Sequence, residues 1–193
     1  MHNDKATETL LMYVNDLLAL ERLIEEAITS QGKDDAVRAH HEISAFVQKV
    51  ATCTKTRLND LKELSDSLGG GAGAVKETVA AVAGVIAGLY DMVRKHPVSR
   101  MMRDDYSALA VASTAYSMLY TTAIALRNDQ VATVAKRGMH NVAPLVLQAS
   151  YLIPAIVVAE LAVDHSDVNH DAIDDAREVT KSAWSADGEL VHG

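Results

Sequence analysis

Glu21 is the residue best placed for chemistry in this 193-residue sequence. It stands in the run Leu10, Val14, Leu17, Glu21, Ile24 and Ile28, whose alternating steps of four and three mark the seam of a packed helix. A carboxylate facing an apolar core costs several kcal/mol unless it is paired, protonated or bound to a metal. Two readings follow. Glu21 is an inward-pointing metal ligand or acid–base group, or the helix turns enough to leave it at a boundary beside Arg22 or an arginine of another helix. The second demands less, because helices drift and only one such residue is seen.

The other candidates divide in the same way. His140 lies after Arg137 among apolar positions; it is a second metal ligand or a hydrogen-bonded boundary residue. Tyr116 and Tyr120 share a broad helical face with Ser113. They line a polar pocket or radical site, or they are core aromatics whose hydroxyls reach a partner. His40 and His41 are adjacent, so on a helix they point about 100° apart and cannot share one ion. Cys53 has Lys49, Lys55 and Arg57 nearby in sequence, but proximity in sequence alone does not lower a thiol pKa. A di-iron bundle needs a glutamate on each of two helices and Glu-x-x-His on each of the others. The only Glu-x-x-His is Glu189 to His192, near the C-terminus. The stretch Asp164 to Asp171 is rich in ligand atoms but matches neither zinc nor calcium-loop spacing. No cofactor is therefore expected; the alternative is iron, manganese or zinc held at Glu21 and His140.

The elements that must position these residues are helices. The first starts near Asp4 or Thr7 and closes at Gly32. A second starts at Asp34 or Asp35 and carries Ile43, Val47, Val50, Thr54, Leu58, Leu61, Leu64 and Leu68 on one seam. The glycines from Gly69 to Gly73 lack phosphate-loop spacing and read as a helix C-cap and connector. A third helix is expected from Val75 to Val93, a fourth from about Ser99 to Leu126, and a fifth from Asn128 or Asp129. The fifth contains Pro144 and Pro154, which predict a kink or a split. A short amphipathic helix over Ile173 to Trp184 would dock through Trp184. No period-two pattern occurs, so the chain is expected to be all-α, with a bundle over 1–163 and an acidic tail over 164–193.

Composition narrows the function classes. Alanine alone supplies 30 residues and aromatics only 4%, which suits closely packed helices and not a turn-rich β fold. The net charge is −8, of which residues 164–193 hold eight acids against two bases. An acidic chain makes a poor nucleic-acid binder, and its tail suits a basic protein partner. One cysteine excludes an internal disulfide. The first ten residues show no basic region ahead of an apolar run, so no signal peptide is expected and the location is read as cytoplasmic. The uncharged stretches Tyr106 to Leu126 and Asn141 to Ala159 are broken by Ser, Thr, Gln and Pro, and suit buried helices better than membrane spans.

Taken together, the order resembles the ferritin-like stress-protein family of unknown function, related to rubrerythrins. Tyr13 to Leu17 followed by Glu21 and Leu23-Ile24 looks like that family's opening helix, where the glutamate is a metal ligand. Thr54, Leu58, Leu61 and Leu68-Gly69 are similar to the end of its second helix. Gly84 to Gly88, Pro97, Arg103-Asp104, Ala108-Leu109, Ala115-Tyr116 and Tyr120 to Leu126 continue the match. The resemblance implies a ferritin-like four-helix bundle with an additional helix. In its register the other ligand positions become Val47 and Val50, Ser113 and Tyr116, and His140 or Asn141, so only Glu21 survives as a ligand. The expected function is then a non-catalytic stress-related, binding or structural protein, most simply a homodimer. The alternative is a metal-binding protein or oxidoreductase using a site around Glu21 and His140.

Overall fold

The computed structural model describes residues 2–70 and 97–185. All regular structure among them is helical: α1 (His2–Gln31), α2 (Asp35–Ala39), α3 (His41–Ser67), α4 (Val98–Ala125), α5 (Asp129–Asp164) and α6 (Ala172–Ser185). The expected helix over Val75 to Val93 lies outside the described residues.

The seams read from the sequence are buried. Leu10, Val14, Leu17, Ile24 and Ile28 of α1 join Ile43, Val47, Val50, Leu58, Leu61 and Leu64 of α3 in one core. Leu109, Ala112, Leu119 and Ala123 of α4 and Val131, Ala135, Val142, Leu145 and Ala149 of α5 complete it. The small residues on α4 and α5 let these two helices pack most extensively. The four long helices touch in a ring, α1 to α3, α3 to α5, α5 to α4 and α4 to α1.

Side-chain bonds across the ring fix its directions. Asn15 meets Ser65 and Glu21 meets Arg57, so α1 and α3 are antiparallel. Lys49 donates to Gln148, Arg137 to Asp60 and Gln130 to Ser67, so α3 and α5 are antiparallel as well. Gln31, the last residue of α1, donates to Asp105 near the start of α4 at 2.8 Å. It follows that α3 and α4 run parallel, with Gly70 and Pro97 at opposite ends of the ring.

Local differences from the expected elements have identifiable causes. The predicted single helix after Gly32 is interrupted at His40, which is extended (φ −103°, ψ 102°). Val37 and Ile43 are both buried, yet six residues apart they would fall on different faces of one unbroken helix. The break lets both reach the core. Asp34 caps α2 by accepting the Ala36 N–H at 2.8 Å. In contrast, α5 is continuous through Pro144 and Pro154. Proline frees the carbonyl four residues earlier, here that of His140 or Ser150. Neither residue is buried, so solvent can take up the freed acceptor. Gly69 ends α3 in the left-handed region (φ 81°), and Gly70 donates to the Ser65 carbonyl at 2.9 Å, as in a glycine C-cap.

The C-terminal helix is longer than predicted but loosely held. It rests on α5, with Arg177 Nε donating to the Tyr151 carbonyl at 3.2 Å, and none of its residues is buried. Trp184, expected to dock it, is 56% exposed at the rim of a cavity. By length and composition α4 and α5 could each cross a membrane, although a third of each one's most apolar window is buried in this fold.

The turn between α4 and α5 depends on Asn128. Its side chain accepts the Val131 N–H at 3.0 Å, and its own N–H reaches the Ala123 carbonyl at 2.9 Å. Asn128→Ala is expected to cost about 1 kcal/mol. Thermal denaturation should show a loss of roughly 2–4 °C.

Candidate functional site

The seam of α1 carries Glu21 directly into the core, where its side chain is fully buried. It is not at a boundary. It is paired with an arginine of another helix, Arg57 of α3. The grip is bidentate: Arg57 Nε donates to Glu21 Oε1 at 2.6 Å and Nη2 to Oε2 at 2.9 Å. Arg57 reaches inward because Thr54, one turn earlier, accepts from Nη2 at 2.9 Å. From α5, Asn141 Oδ1 accepts from Nη1 at 2.7 Å. Glu21 and Thr54 are wholly buried, and Arg57 is 2% exposed.

Tyr116 of α4 closes the same layer. Its ring is 1% exposed and lies against the backbone of α5 at Gly138. A Cβ at Gly138 would come within 2.2 Å of the ring, so only glycine leaves room for the tyrosine there. The hydroxyl is buried beside the Glu21 carboxylate but makes no hydrogen bond of good geometry.

Electrostatics follows from this arrangement. Burial pushes the Glu21 carboxyl up, and the hydrogen bonds and charge of Arg57 oppose that rise. For Arg57 burial works against its charge, but Glu21 outweighs it, and the guanidinium is held more firmly protonated than usual. Burial raises the Tyr116 hydroxyl well above its ordinary pKa of 10.0, and the Glu21 charge raises it further. We read the centre as an ionised Glu21–Arg57 pair with a neutral tyrosine. A bidentate charge-assisted bond in a dry site favours both charged forms.

The sequence candidates distribute as follows. Glu21 and Tyr116 come together. His140 is exposed on the outside of α5, and its neighbour Asn141 turns inward, because consecutive helical residues point about 100° apart. Ser113 borders a cavity of about 440 Å³ between α4, α5 and Trp184, on the outer side of α4. Tyr120 is half-buried at the edge of the core. Val47 and Val50 are core residues. Among the described residues, no three His, Cys, Asp or Glu side chains converge as a metal-binding group. Arg57 was missed as a site residue. Its only signal was its place next to Leu58 and one turn beyond Thr54, on the flank of a seam whose partner holds the isolated carboxylate.

The arrangement acts chemically as a charge clamp. Both oxygens of Glu21 accept from a cation, so a metal ion there would have to displace a buried guanidinium and leave it with Thr54 and Asn141 but without its counter-charge. Comparison with protein-family models, with curated proteins and with solved structures yields no match.

Glu21→Ala leaves the Arg57 charge buried and unpaired. It is expected to destabilise by about 3–5 kcal/mol. Chemical denaturation should further show that Glu21→Met with Arg57→Met recovers most of that loss, since an apolar pair of similar volume carries no charge to desolvate. The tyrosine gives a pH test. Its folded pKa lies above the unfolded value, so the native state keeps a proton that the unfolded chain releases, and stability falls as pH rises above 10.0. In an ultraviolet titration one tyrosinate should appear only as the helices unfold. Tyr116→Phe should remove that step and cost little stability, because the hydroxyl it deletes has no hydrogen bond to lose.

Proposed function

We propose that this chain is a ferritin-like four-helix bundle in which an internal ion pair stands in place of a metal-ligand set. In this reading it is a non-catalytic, stress-related binding or structural protein of the cytoplasm. The observation that carries the proposal is the bidentate grip of Arg57 on Glu21. In di-iron carboxylate bundles each helix contributes inward ligands, and four carboxylates and two histidines surround the ions. Here the layer around Glu21 offers Arg57, Tyr116 and Asn141, while Val47 and Val50, the second-helix positions that the resemblance implied, lie about two to three turns away along α3. The single carboxylate has its charge balanced by a guanidinium, and the other three groups are a cation, a phenol and an amide. A divalent ion would meet a positive charge where a di-iron protein supplies negative ones.

The antiparallel ring of four long helices, in which α3 and α4 run parallel with Gly70 and Pro97 at opposite ends, supports the bundle assignment. The stress association comes from the resemblance of the opening helix. Self-association as a homodimer and engagement of a basic protein through the acidic segment 164–193 complete the proposed role.

Elemental analysis of the purified full-length chain tests it. The expected result is substoichiometric iron, manganese and zinc, with no Fe(II)-dependent oxygen consumption. One ion per chain that is lost from Glu21→Gln, which keeps the side chain's shape, would overturn the proposal in favour of a metal-binding protein or oxidoreductase.

A further inference from the structure

Helix α6 rests on α5 without burying any of its own residues. Ile173, Ala176, Arg177 and Thr180 share one side of the helix and are half-buried, while Trp184 on the same side is 56% exposed. Cavities of about 500 and 440 Å³ flank the contact, and Leu147 of α5 lines both, so α6 does not pack flush onto its neighbour. Residues 165–171, which join the two helices, form no helix of their own, and all but Val168 are exposed.

A single bond spans this loose contact in an uncommon way. Arg177 Nε donates to the main-chain carbonyl of Tyr151 at 3.2 Å. Asp174, one turn before Arg177, lies 3.7 Å from its Nη1 and steers the side chain. In the middle of a helix a carbonyl points along the axis toward the N–H four residues on, and an outside donor has little access to it. Near Tyr151 that pattern is interrupted. Pro154 has no N–H to offer Ser150, and a proline ring crowds the carbonyl four residues earlier.

We propose that Pro154 and Arg177 form a latch, and that α6 is the strap it closes. Pro154 opens the turn that carries Ser150 and Tyr151 on its outer side, and Arg177 takes the second of those two carbonyls. With the latch released, α6 swings away on residues 165–171 while the four long helices stay folded. Release uncovers Pro144, Leu147, Tyr151 and Leu152, which line the larger cavity together with Arg177. The chain thus has a closed and an open form that differ in the surface α5 presents.

Two features place this opening far below the unfolding of the ring in free energy. No residue of α6 is buried, so its departure exposes little apolar area. The connector is already in solvent, so it moves without loss of core contacts. The ring, in contrast, opens only by separating Glu21 from Arg57 and breaking the core.

Hydrogen–deuterium exchange of the full-length chain, read by mass spectrometry, tests the proposal. Amides of residues 172–185 should exchange together, at least about a hundredfold faster than those of residues 46–64 in α3 and at least about tenfold slower than an unstructured chain. Arg177→Ala should speed exchange over 172–185 about fivefold and leave 46–64 unchanged. Alanine is the best helix former, so a weaker helix cannot account for that increase. Pro154→Ala returns an N–H to Ser150 and closes the turn; exchange over 172–185 should again rise, by about threefold, while residues 150–156 exchange more slowly. If residues 172–185 exchange no faster than 46–64, α6 opens only with the ring and the strap is overturned. Exchange at the rate of an unstructured chain, or no response to Arg177→Ala, would overturn the latch. A response to Arg177→Ala without one to Pro154→Ala would remove the proline from it.

Discussion

The guanidinium of Arg57 is the constraint on which the interior depends. Five N–H donors on a rigid plane, 2% exposed, have to be met by acceptors, since a buried charge without partners costs several kcal/mol. Glu21 supplies two oxygens, Thr54 one and Asn141 one, drawn from three elements. Those elements cannot slide along one another without breaking a charge-assisted bond. An apolar seam repeats every seven residues and tolerates a shift by one heptad; this layer does not. The ion pair therefore adds register more than stability, and the absence of a side chain at Gly138 is what lets Tyr116 seal the layer from α4.

Much of the helical framework was legible in the sequence for a simple reason: apolar residues at steps of three and four report which face of a helix is buried, whatever it packs against. The Glu21 anomaly was legible by the same rule. Its resolution was not, because periodicity within one helix carries no information about the side chain opposite. Arg57 sits on the flank of its seam, where basic residues ordinarily stretch toward water, and only the antiparallel pairing of α1 with α3 turns it inward. His140 and Asn141 show the limit at a single residue: a rotation of about 100° decides which of two neighbours enters the core, and sequence pattern fixes helix phase less finely than that. Prolines misled in the other direction. Pro144 and Pro154 look like breaks, but each frees a carbonyl on a residue that solvent can reach, so the helix continues.

The molecule also separates its charge. The body up to residue 163 is close to neutral and buries the Glu21–Arg57 pair, while the excess of acid lies beyond residue 163. Cavities of about 500 and 580 Å³ lie beside α6 in addition to the one at Trp184, and Arg177 lines the first of them. The C-terminal helix adds little cohesion and places its acids, Asp174 and Asp175 in the first turn, in solvent. What holds the fold is the ring.

The parallel course of α3 and α4 bears on how the chain assembles. Two hairpins, α1 with α3 and α4 with α5, are each local in sequence and close with short loops, whereas contacts between the hairpins span long separations and form at greater entropic cost. The ion pair belongs wholly to the first hairpin; Asn141, Gly138 and Tyr116 belong to the second. Glu21 and Arg57 therefore meet within one hairpin, and it is the packing of the second hairpin against them that excludes water and supplies a fourth acceptor, Asn141. The contact between the two hairpins is then also what reads register, since a second hairpin one turn out of place would bury the Arg57 Nη1 protons against a side chain unable to accept them.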